Sequence, residues 1–311
     1  MPHTTELSIR AQELASPDHI LVATDLTDGA HLVPHAIAQA QACGAGLTLV
    51  HAITAQPVDG RGGLYAEESQ RDRDARHAMT DLKQQIEASG LACRTICRHG
   101  FATDVIREAL EQTGATRLIV GTHGRSKLGQ IILGSVTNDL LADIHVPVFA
   151  VGPSAGSAAR QSKPRTILHP VSFDGDYIPT VGLAADLACA YSAELVLLHV
   201  LDLSARRGRT LRGAESELNS LVANYSQDDS IPGVKVRVTI GDPVKEILNS
   251  ADETEADLIV MGIAGASPLF HFRDSAAYKV TAAAHCPVLA LRHGPSQLSP
   301  ASRKETNEDC N

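Results

Sequence analysis

The sequence predicts two tandem α/β domains, each built around a parallel β-sheet. Short runs of Ile, Val and Leu alternate with longer segments whose apolar residues recur at helical spacing, a pattern typical of βαβ units. The same order of strands and helices occurs twice in the 311 residues. The segment from Gly100 to Gly124 aligns without a gap to the segment from Gly241 to Gly265, 141 residues later. A period of this length is too long for a solenoid repeat and indicates a duplicated domain.

The first copy is expected over residues 18–152, after a polar N-terminal stretch, 1–17, that we expect to be disordered. Apolar runs predict the strands, and the 3.6-residue spacing of apolar side chains predicts the helices. The predicted strands cover 19–25, 47–53, 92–98, 118–120 and 146–151, and the predicted helices cover 33–43, 67–89, 104–112 and 138–143.

The second copy is expected over residues 165–293, after a linker, 153–164, that is rich in Gly, Ser and Ala. Asp242 followed by Pro243 predicts a helix start, because Asp is a favoured N-cap and Pro fits the first helical position. Residues 294–311 form a polar tail without a core-forming pattern, and we expect it to be disordered. The predicted strands of this copy cover 166–171, 195–200, 235–240, 257–263 and 287–291.

Composition narrows the classes of function. The formal net charge of −9 gives no general electrostatic attraction for nucleic acid. No apolar run reaches membrane-spanning length, so no membrane insertion is expected. The six cysteines form no Cys-x-x-Cys pair and are scattered along the chain, which favours a reducing compartment over a disulfide framework. We therefore expect a cytoplasmic protein.

A pair of glycine motifs is the strongest functional signal. Gly121-x-x-Gly124 follows an apolar strand, and Gly134-Ser135 follows nine residues later at a predicted helix start. Glycines let a ligand approach the backbone closely, and a helix start offers free N–H groups and a positive dipole end. Together they predict a concave anion site that suits the phosphates of a nucleotide. The alternative is that these glycines are ordinary turn residues.

This pattern, Gly-x2-Gly-x9-Gly-Ser between an apolar strand and a Val-Pro-Val strand, resembles the nucleotide-binding signature of the universal stress protein family. The resemblance covers residues 19–292 and has the layout of a tandem member. It implies two Rossmann-like domains of the adenine nucleotide alpha hydrolase-like type, each an open five-stranded parallel sheet with helices on both faces. It also implies that the last strands of the two domains pair antiparallel, as in a family homodimer, and it leaves a further homodimer open.

The resemblance implies an adenine nucleotide as partner: ATP, or ADP or AMP, with or without Mg²⁺. It places the adenine near the end of the first strand, where Asp25 could accept hydrogen bonds, although an Asp there could equally cap the following turn. It places the ribose and phosphates on the two glycine motifs. The residues that it assigns to the nucleotide are Ala23, Thr24, Asp25, Ala52, Val120, Gly121, His123, Gly124, Arg125, Gly134, Ser135, Val136 and Thr137.

The second copy departs from the pattern. It has Ser172 in place of Asp25 and Ala264 in place of His123. We align Gly134 with Asp274, with a loop shorter by one residue, and a carboxylate there would repel phosphate. The loop over 267–272 carries two Phe and would add bulk. The sequence therefore predicts one nucleotide per chain, in the first copy.

Three functions remain open at this point. The first is a stress-response sensor or regulator that binds ATP, the second is a slow ATPase, and the third is a dimerising scaffold without a ligand. No P-loop lysine motif and no catalytic base beside the glycines is present, so we assign no catalytic residue. His31 and His35 stand four apart on a predicted helix, but no third ligand is near in sequence, which favours a surface pair over a metal site.

Overall fold

The computed structural model describes residues 14, 16–54, 70–122, 133–155, 163–173, 177–202, 210–225, 233–264 and 275–293. Within these residues each half of the chain contains five parallel strands alternating with four α-helices. The predicted fold class, two α/β units in tandem, is therefore confirmed.

In the first half, the prediction of one helix start was wrong. The helix that was expected from residue 33 begins four residues earlier and carries Pro34 in its interior. The Asp28 carbonyl accepts the N–H groups of His31 and Leu32, at 3.2 and 3.0 Å, and so begins the helix ahead of the apolar pattern. The strands are β1 (His19–Ala23), β2 (Gly46–Ile53), β3 (Cys93–His99), β4 (Arg117–Gly121) and β5 (Val148–Val151), and the helices are α1 (Gly29–Cys43), α2 (Gln70–Glu87), α3 (Ala102–Thr113) and α4 (Ser135–Asp143).

The second half repeats this order. The predicted N-cap at Asp242 is confirmed, because its Oδ1 accepts the Lys245 N–H at 3.0 Å. The strands are β6 (Thr166–Pro170), β7 (Glu194–Leu201), β8 (Val234–Ile240), β9 (Leu258–Ala264) and β10 (Val288–His293), and the helices are α5 (Ile178–Tyr191), α6 (Leu211–Tyr225), α7 (Pro243–Glu253) and α8 (Ala276–Ala283).

The two halves share one ten-stranded sheet, in the order β3-β2-β1-β4-β5-β10-β9-β6-β7-β8. The strands within each half are parallel, and the halves join through the antiparallel pair β5 and β10, with Phe149 opposite Leu289. This confirms the predicted pairing of the last strands. Each of the two strands covers an apolar edge that the other would otherwise leave open.

Helices cover both faces of the sheet. Along β1, Ile20 and Val22 belong to one apolar cluster, while Leu21 and Ala23 belong to the other. Helices α1, α2, α5 and α6 pack on the first face, and α3, α4, α7 and α8 pack on the second. Because both faces are buried, the central strands are continuous apolar runs and not alternating ones.

Candidate functional site

The order of the strands locates a crevice in the first half. Strand β1 pairs with β2 on one side and with β4 on the other, so the chain connections diverge between β1 and β4. Ligands of open α/β sheets bind at the carboxyl ends of the strands at such a point. The residues that follow β1 and β4 therefore frame the candidate site.

The end of β1 is held by its own turn. Ala23 and Thr24 are buried, and the Thr24 N–H donates to the Val50 carbonyl at 3.1 Å. Asp25 is exposed, and its Oδ1 accepts both the N–H and the hydroxyl of Thr27 at 2.7 Å. The turn-capping role that the sequence allowed for Asp25 is thus present. A contact with adenine by the same carboxylate stays a prediction.

A histidine side chain links the end of β2 to the end of β1 through a hydrogen bond. His51 Nδ1 donates to the Thr24 carbonyl at 2.9 Å, next to Ala52 at the base of the crevice. The second half repeats this bond, because His199 Nδ1 donates to the Val171 carbonyl at 2.8 Å. The two histidines therefore have one structural role, used once in each half.

Gly121 ends β4 at a position where the Asp28 carboxyl occupies the space that a side chain would need. An ideal Cβ on Gly121 would lie only 2.4 Å from Oδ2 of Asp28. The sequence interpretation was that this glycine admits a ligand to the backbone. In the structure its lack of a Cβ admits the Asp28 carboxyl. Val120, just before it, is buried in the core.

The start of α4 is fastened beside the end of β4. Gly134 donates its N–H to the Thr122 carbonyl at 2.9 Å, and the Thr137 hydroxyl donates to the Gly121 carbonyl at 2.7 Å. Gly134 is the N-cap residue, and it has no side chain with which to cap the helix. The first-turn amides, those of Ser135, Val136 and Thr137, have no acceptor within the helix, as in any first helical turn. The two ends of the glycine pattern therefore meet, whereas His123, Gly124 and Arg125 lie outside the described residues.

The equivalent helix start in the second half is capped. Strand β9 and helix α8 follow β4 and α4 at the same interval of 141 residues, so Ser275 corresponds to Gly134. The Ser275 hydroxyl accepts the Tyr278 N–H at 3.2 Å. Our alignment of Gly134 with Asp274 and a shorter loop was therefore wrong. Asp274 corresponds to Leu133 in this register, and it lies outside the described residues.

Aromatic side chains cover the end of β6 in the second half. Phe173 is buried, its ring centroid lies 4.2 Å from that of His199, and the Tyr177 ring meets it edge-on at 5.3 Å. The first half has Leu26 at the position of Phe173, where the backbone adopts φ 71°. The sequence interpretation placed the bulk in residues 267–272, which lie outside the described residues. Phe173 and Tyr177 supply bulk that the sequence interpretation missed.

Sequence reasoning also missed Asp28. Only 4% of this residue is exposed, and the Thr24 hydroxyl donates to its Oδ1 at 2.5 Å. Burial raises the pKa of the carboxyl to about 6, against the opposing effect of the Thr24 hydrogen bond. The sequence signal was weak, because Asp28-Gly29 has the composition of an ordinary polar turn.

The described residues contain no group of three or more His, Cys, Asp or Glu side chains that could hold a metal ion. The expectation that His31 and His35 form a surface pair is wrong for His35. This side chain is buried and donates from Nε2 to the Ala155 carbonyl at 2.9 Å. In the described part of the chain, no helix combines the length and the apolar character needed to cross a membrane.

Comparison with known sequences identifies related proteins. A model described as the universal stress protein family matches residues 17–152 and 164–292. The universal stress protein MJ0577 of Methanocaldococcus jannaschii is 31% identical over 78 residues, which are 25% of this chain and 48% of that protein. MJ0531 of the same organism is 31% identical over 120 residues, which are 35% of this chain and 71% of that protein. This chain thus spans about half the length of MJ0577.

Comparison with solved structures supports the same fold. A universal stress protein from Archaeoglobus fulgidus superimposes with a TM-score of 0.68 at 22% identity, covering 89% of this chain and 96% of that one. PA1789 of Pseudomonas aeruginosa, described as functionally unknown, gives 0.61 at 20% identity, covering 91% and 94%. At these identities the likeness concerns the fold alone.

Proposed function

Because this chain belongs to the universal stress protein family, we propose that it binds one adenine nucleotide in its first half and acts as a stress-response sensor or regulator. The nucleotide is ATP, or its products ADP and AMP, with Mg²⁺ bound to the phosphates. The phosphates bind at the start of α4, and the adenine lies over the ends of β1 and β2.

The observation that carries this proposal is the uncapped start of α4. Gly134 is an N-cap without a side chain, and two hydrogen bonds fasten it and Thr137 to Thr122 and Gly121. A helix N-terminus, with amides that have no acceptor within the helix and a positive dipole end, favours an anion. It lies beside the divergence of β1 and β4, where open α/β sheets bind ligands.

The second half supports a stoichiometry of one. There the Ser275 hydroxyl takes one of the amides that a phosphate would need. Phe173 and His199 are in contact and nearly buried at the end of β6, which leaves little room for a base. A nucleotide would have to displace both the cap and the aromatic ring.

The cellular setting follows from the chemistry. We propose a cytoplasmic protein, because the cytoplasm supplies adenine nucleotides and keeps thiols reduced. A homodimer would have to use a surface other than the last strands, because β5 and β10 already cover one another. Chromatographic mass, measured with and without ATP, tests that dimer.

The proposal is tested by giving α4 the cap that it lacks. Gly134→Asp places a favoured N-cap where the backbone already has φ −56° and ψ 146°. Asp in place of Gly at an N-cap stabilises a helix by a few tenths of a kcal/mol. The variant should therefore fold as well as the parent. It should nevertheless lose nucleotide binding, because the carboxylate occupies the amides and repels phosphate.

Titration calorimetry of nucleotide-free protein with ATP, ADP and AMP measures both affinity and stoichiometry. We expect one site per chain in the parent and none in Gly134→Asp. The matched control is Ser275→Gly, which removes the cap in the second half and should leave both numbers unchanged. Two sites in the parent, no binding by the parent, or equal affinity in Gly134→Asp would each refute the proposal. Phosphate release with Mg²⁺ in the same samples tests slow ATP hydrolysis.

A further inference from the structure

Asp28 is a buried carboxyl beside Gly121, whose carbonyl accepts the Thr137 hydroxyl at the start of α4. Its Oδ1 accepts the Thr24 hydroxyl at 2.5 Å, and its Oδ2 lies 2.4 Å from the position that a Cβ on Gly121 would take. Thr24 directly follows β1 and Gly121 ends β4, so the carboxyl lies between the two strands that frame the crevice. The proposed roles of the nucleotide site leave this carboxyl without a function.

The orientation of Asp28 departs from what its position favours. It is the N-cap residue of α1, where an Asp side chain ordinarily accepts a first-turn N–H. Asp28 makes no such bond and turns inward. The missing cap is worth about 1 kcal/mol. The side chain accepts the Thr24 hydroxyl instead, so it is held between the strand ends and does not cap α1. A departure from the locally favoured arrangement is expected at functional sites.

No described cation balances the Asp28 carboxylate. The charged side chain that influences it is Asp25 in the same turn, and the negative charge of Asp25 raises the pKa of Asp28 further. From the neighbouring strand the contact is Gly121, which carries no charge. His51 on β2 donates to the Thr24 carbonyl and not to Asp28. With burial as the main cause, the pKa of the carboxyl reaches about 6, so it is largely ionised at neutral pH.

We propose, resting on the nucleotide site described above, that Asp28 is the charge-selecting residue of that site and takes up one proton from solvent when a nucleotide's phosphates bind. An ionised carboxylate and a phosphate repel one another strongly in a buried setting. A protonated carboxyl does not repel, and its O–H can donate to a phosphate oxygen. The site therefore admits the polyanion together with a proton, and it admits uncharged adenosine without one.

The proposal predicts how affinity depends on pH. If Asp28 is protonated in the complex and has a pKa of about 6 in the free protein, the dissociation constant for ATP rises about eightfold from pH 6.5 to 7.5. The Asp28→Asn variant keeps the shape of the side chain and cannot ionise. The dissociation constant of this variant should therefore lack the pH dependence that comes from Asp28. If the amide replaces the neutral carboxyl without loss of affinity, the variant should bind ATP about thirtyfold more tightly than the parent at pH 7.5.

The experiment is calorimetric titration of the full chain with ATP and with adenosine at pH 6.5 and 7.5, each in two buffers of different ionisation enthalpy. The phosphates of ATP titrate in this range as well, but that contribution is common to parent and variant and cancels in their ratio. Asp81→Asn, an exposed site in the middle of α2, is the matched control and should behave like the parent. Urea unfolding verifies that Asp28→Asn is folded, and Asp28→Ser replaces it if it is not.

The expected result is that the parent takes up more protons per ATP than Asp28→Asn does, by about 0.8 proton at pH 6.5 and about 1.0 proton at pH 7.5. No such difference is expected for adenosine. Equal proton uptake by the two proteins would overturn the inference. So would weaker ATP binding by Asp28→Asn at both pH values, because the carboxylate would then be a ligand. Absence of binding in parent and variant alike would overturn the nucleotide site itself, a result distinct from either of these.

Discussion

Substitution of Gly121 by alanine tests the contact at the centre of the crevice. The new Cβ would lie 2.4 Å from Oδ2 of Asp28 and 3.2 and 3.3 Å from its Cγ and Cβ. The Asp28 carboxyl would have to rotate and give up its bond from Thr24. Overpacking of a filled site and loss of a buried hydrogen bond each cost about 1–3 kcal/mol. We expect Gly121→Ala to lower the free energy of unfolding by about 2 kcal/mol.

Urea unfolding followed by circular dichroism measures this cost, and a double-mutant cycle assigns it. In an Asp28→Ala background the space is free, so Gly121→Ala should cost less than about 0.5 kcal/mol, the additivity error of such cycles. The control cycle pairs Asp28→Ala with Gly44→Ala at the far end of α1. Gly44 has φ 69° and no atom within 4 Å of an added Cβ, so its substitution is strained but independent. Additive costs for Gly121 and Asp28 would refute the proposed contact.

Two further predictions use one half of the molecule as the template for the other. Phe101 is the N-cap residue of α3, makes no capping bond and is 79% exposed, whereas Asp242 caps the equivalent helix α7. Phe101→Asp should therefore raise the free energy of unfolding by about 1 kcal/mol in urea titrations. An unchanged unfolding midpoint would contradict this prediction. His169 replaces the Val22 of the first half, and full burial lowers its pKa from 6.5 to about 4. Because the unfolded state binds this proton first, the parent should lose about 2.5 kcal/mol of stability as the pH falls from 7.5 to 4.5. His169→Val should remove most of that loss, and equal acid sensitivity of the two proteins would exclude His169 as its source.

The strands and their arrangement could be predicted because a single physical signal specifies them. Strands buried on both faces are continuous runs of Ile, Leu and Val, as in β1 and β4, and their alternation with helices requires parallel pairing. The 141-residue repeat then fixed the second half from the first. The antiparallel joint of β5 and β10 came from the family resemblance, and the pairing of Phe149 with Leu289 confirms it.

The interior of the crevice could be predicted only in part. Gly121 and Gly134 were found because the spacing Gly-x2-Gly-x9-Gly-Ser between two apolar strands is distinctive. Asp28 and Phe173 were missed because their orientations depend on partners far away in sequence. Asp28 turns inward because Gly121, 93 residues later, leaves room for it. A local pattern of polar residues predicts a turn equally well whether the carboxylate faces water or the core.

A similar limit applied to the alignment of the two halves. Sequence alone gave Asp274 as the counterpart of Gly134, since both precede a Ser. The structure shows that the helix starts keep the 141-residue interval, so the counterpart is Ser275. The contrast between the halves therefore rests on a hydroxyl that caps the helix and not on a repelling carboxylate.

A crystal structure of the full chain grown with ATP tests the central claim most directly. We predict one nucleotide per chain, with its phosphates on the amides of Ser135, Val136 and Thr137 and its base over the ends of β1 and β2. The Ser275 hydroxyl should remain bound to the Tyr278 amide, with no nucleotide beside it. Phosphate density at the start of α8, or none at the start of α4 under saturating ATP, would contradict the account.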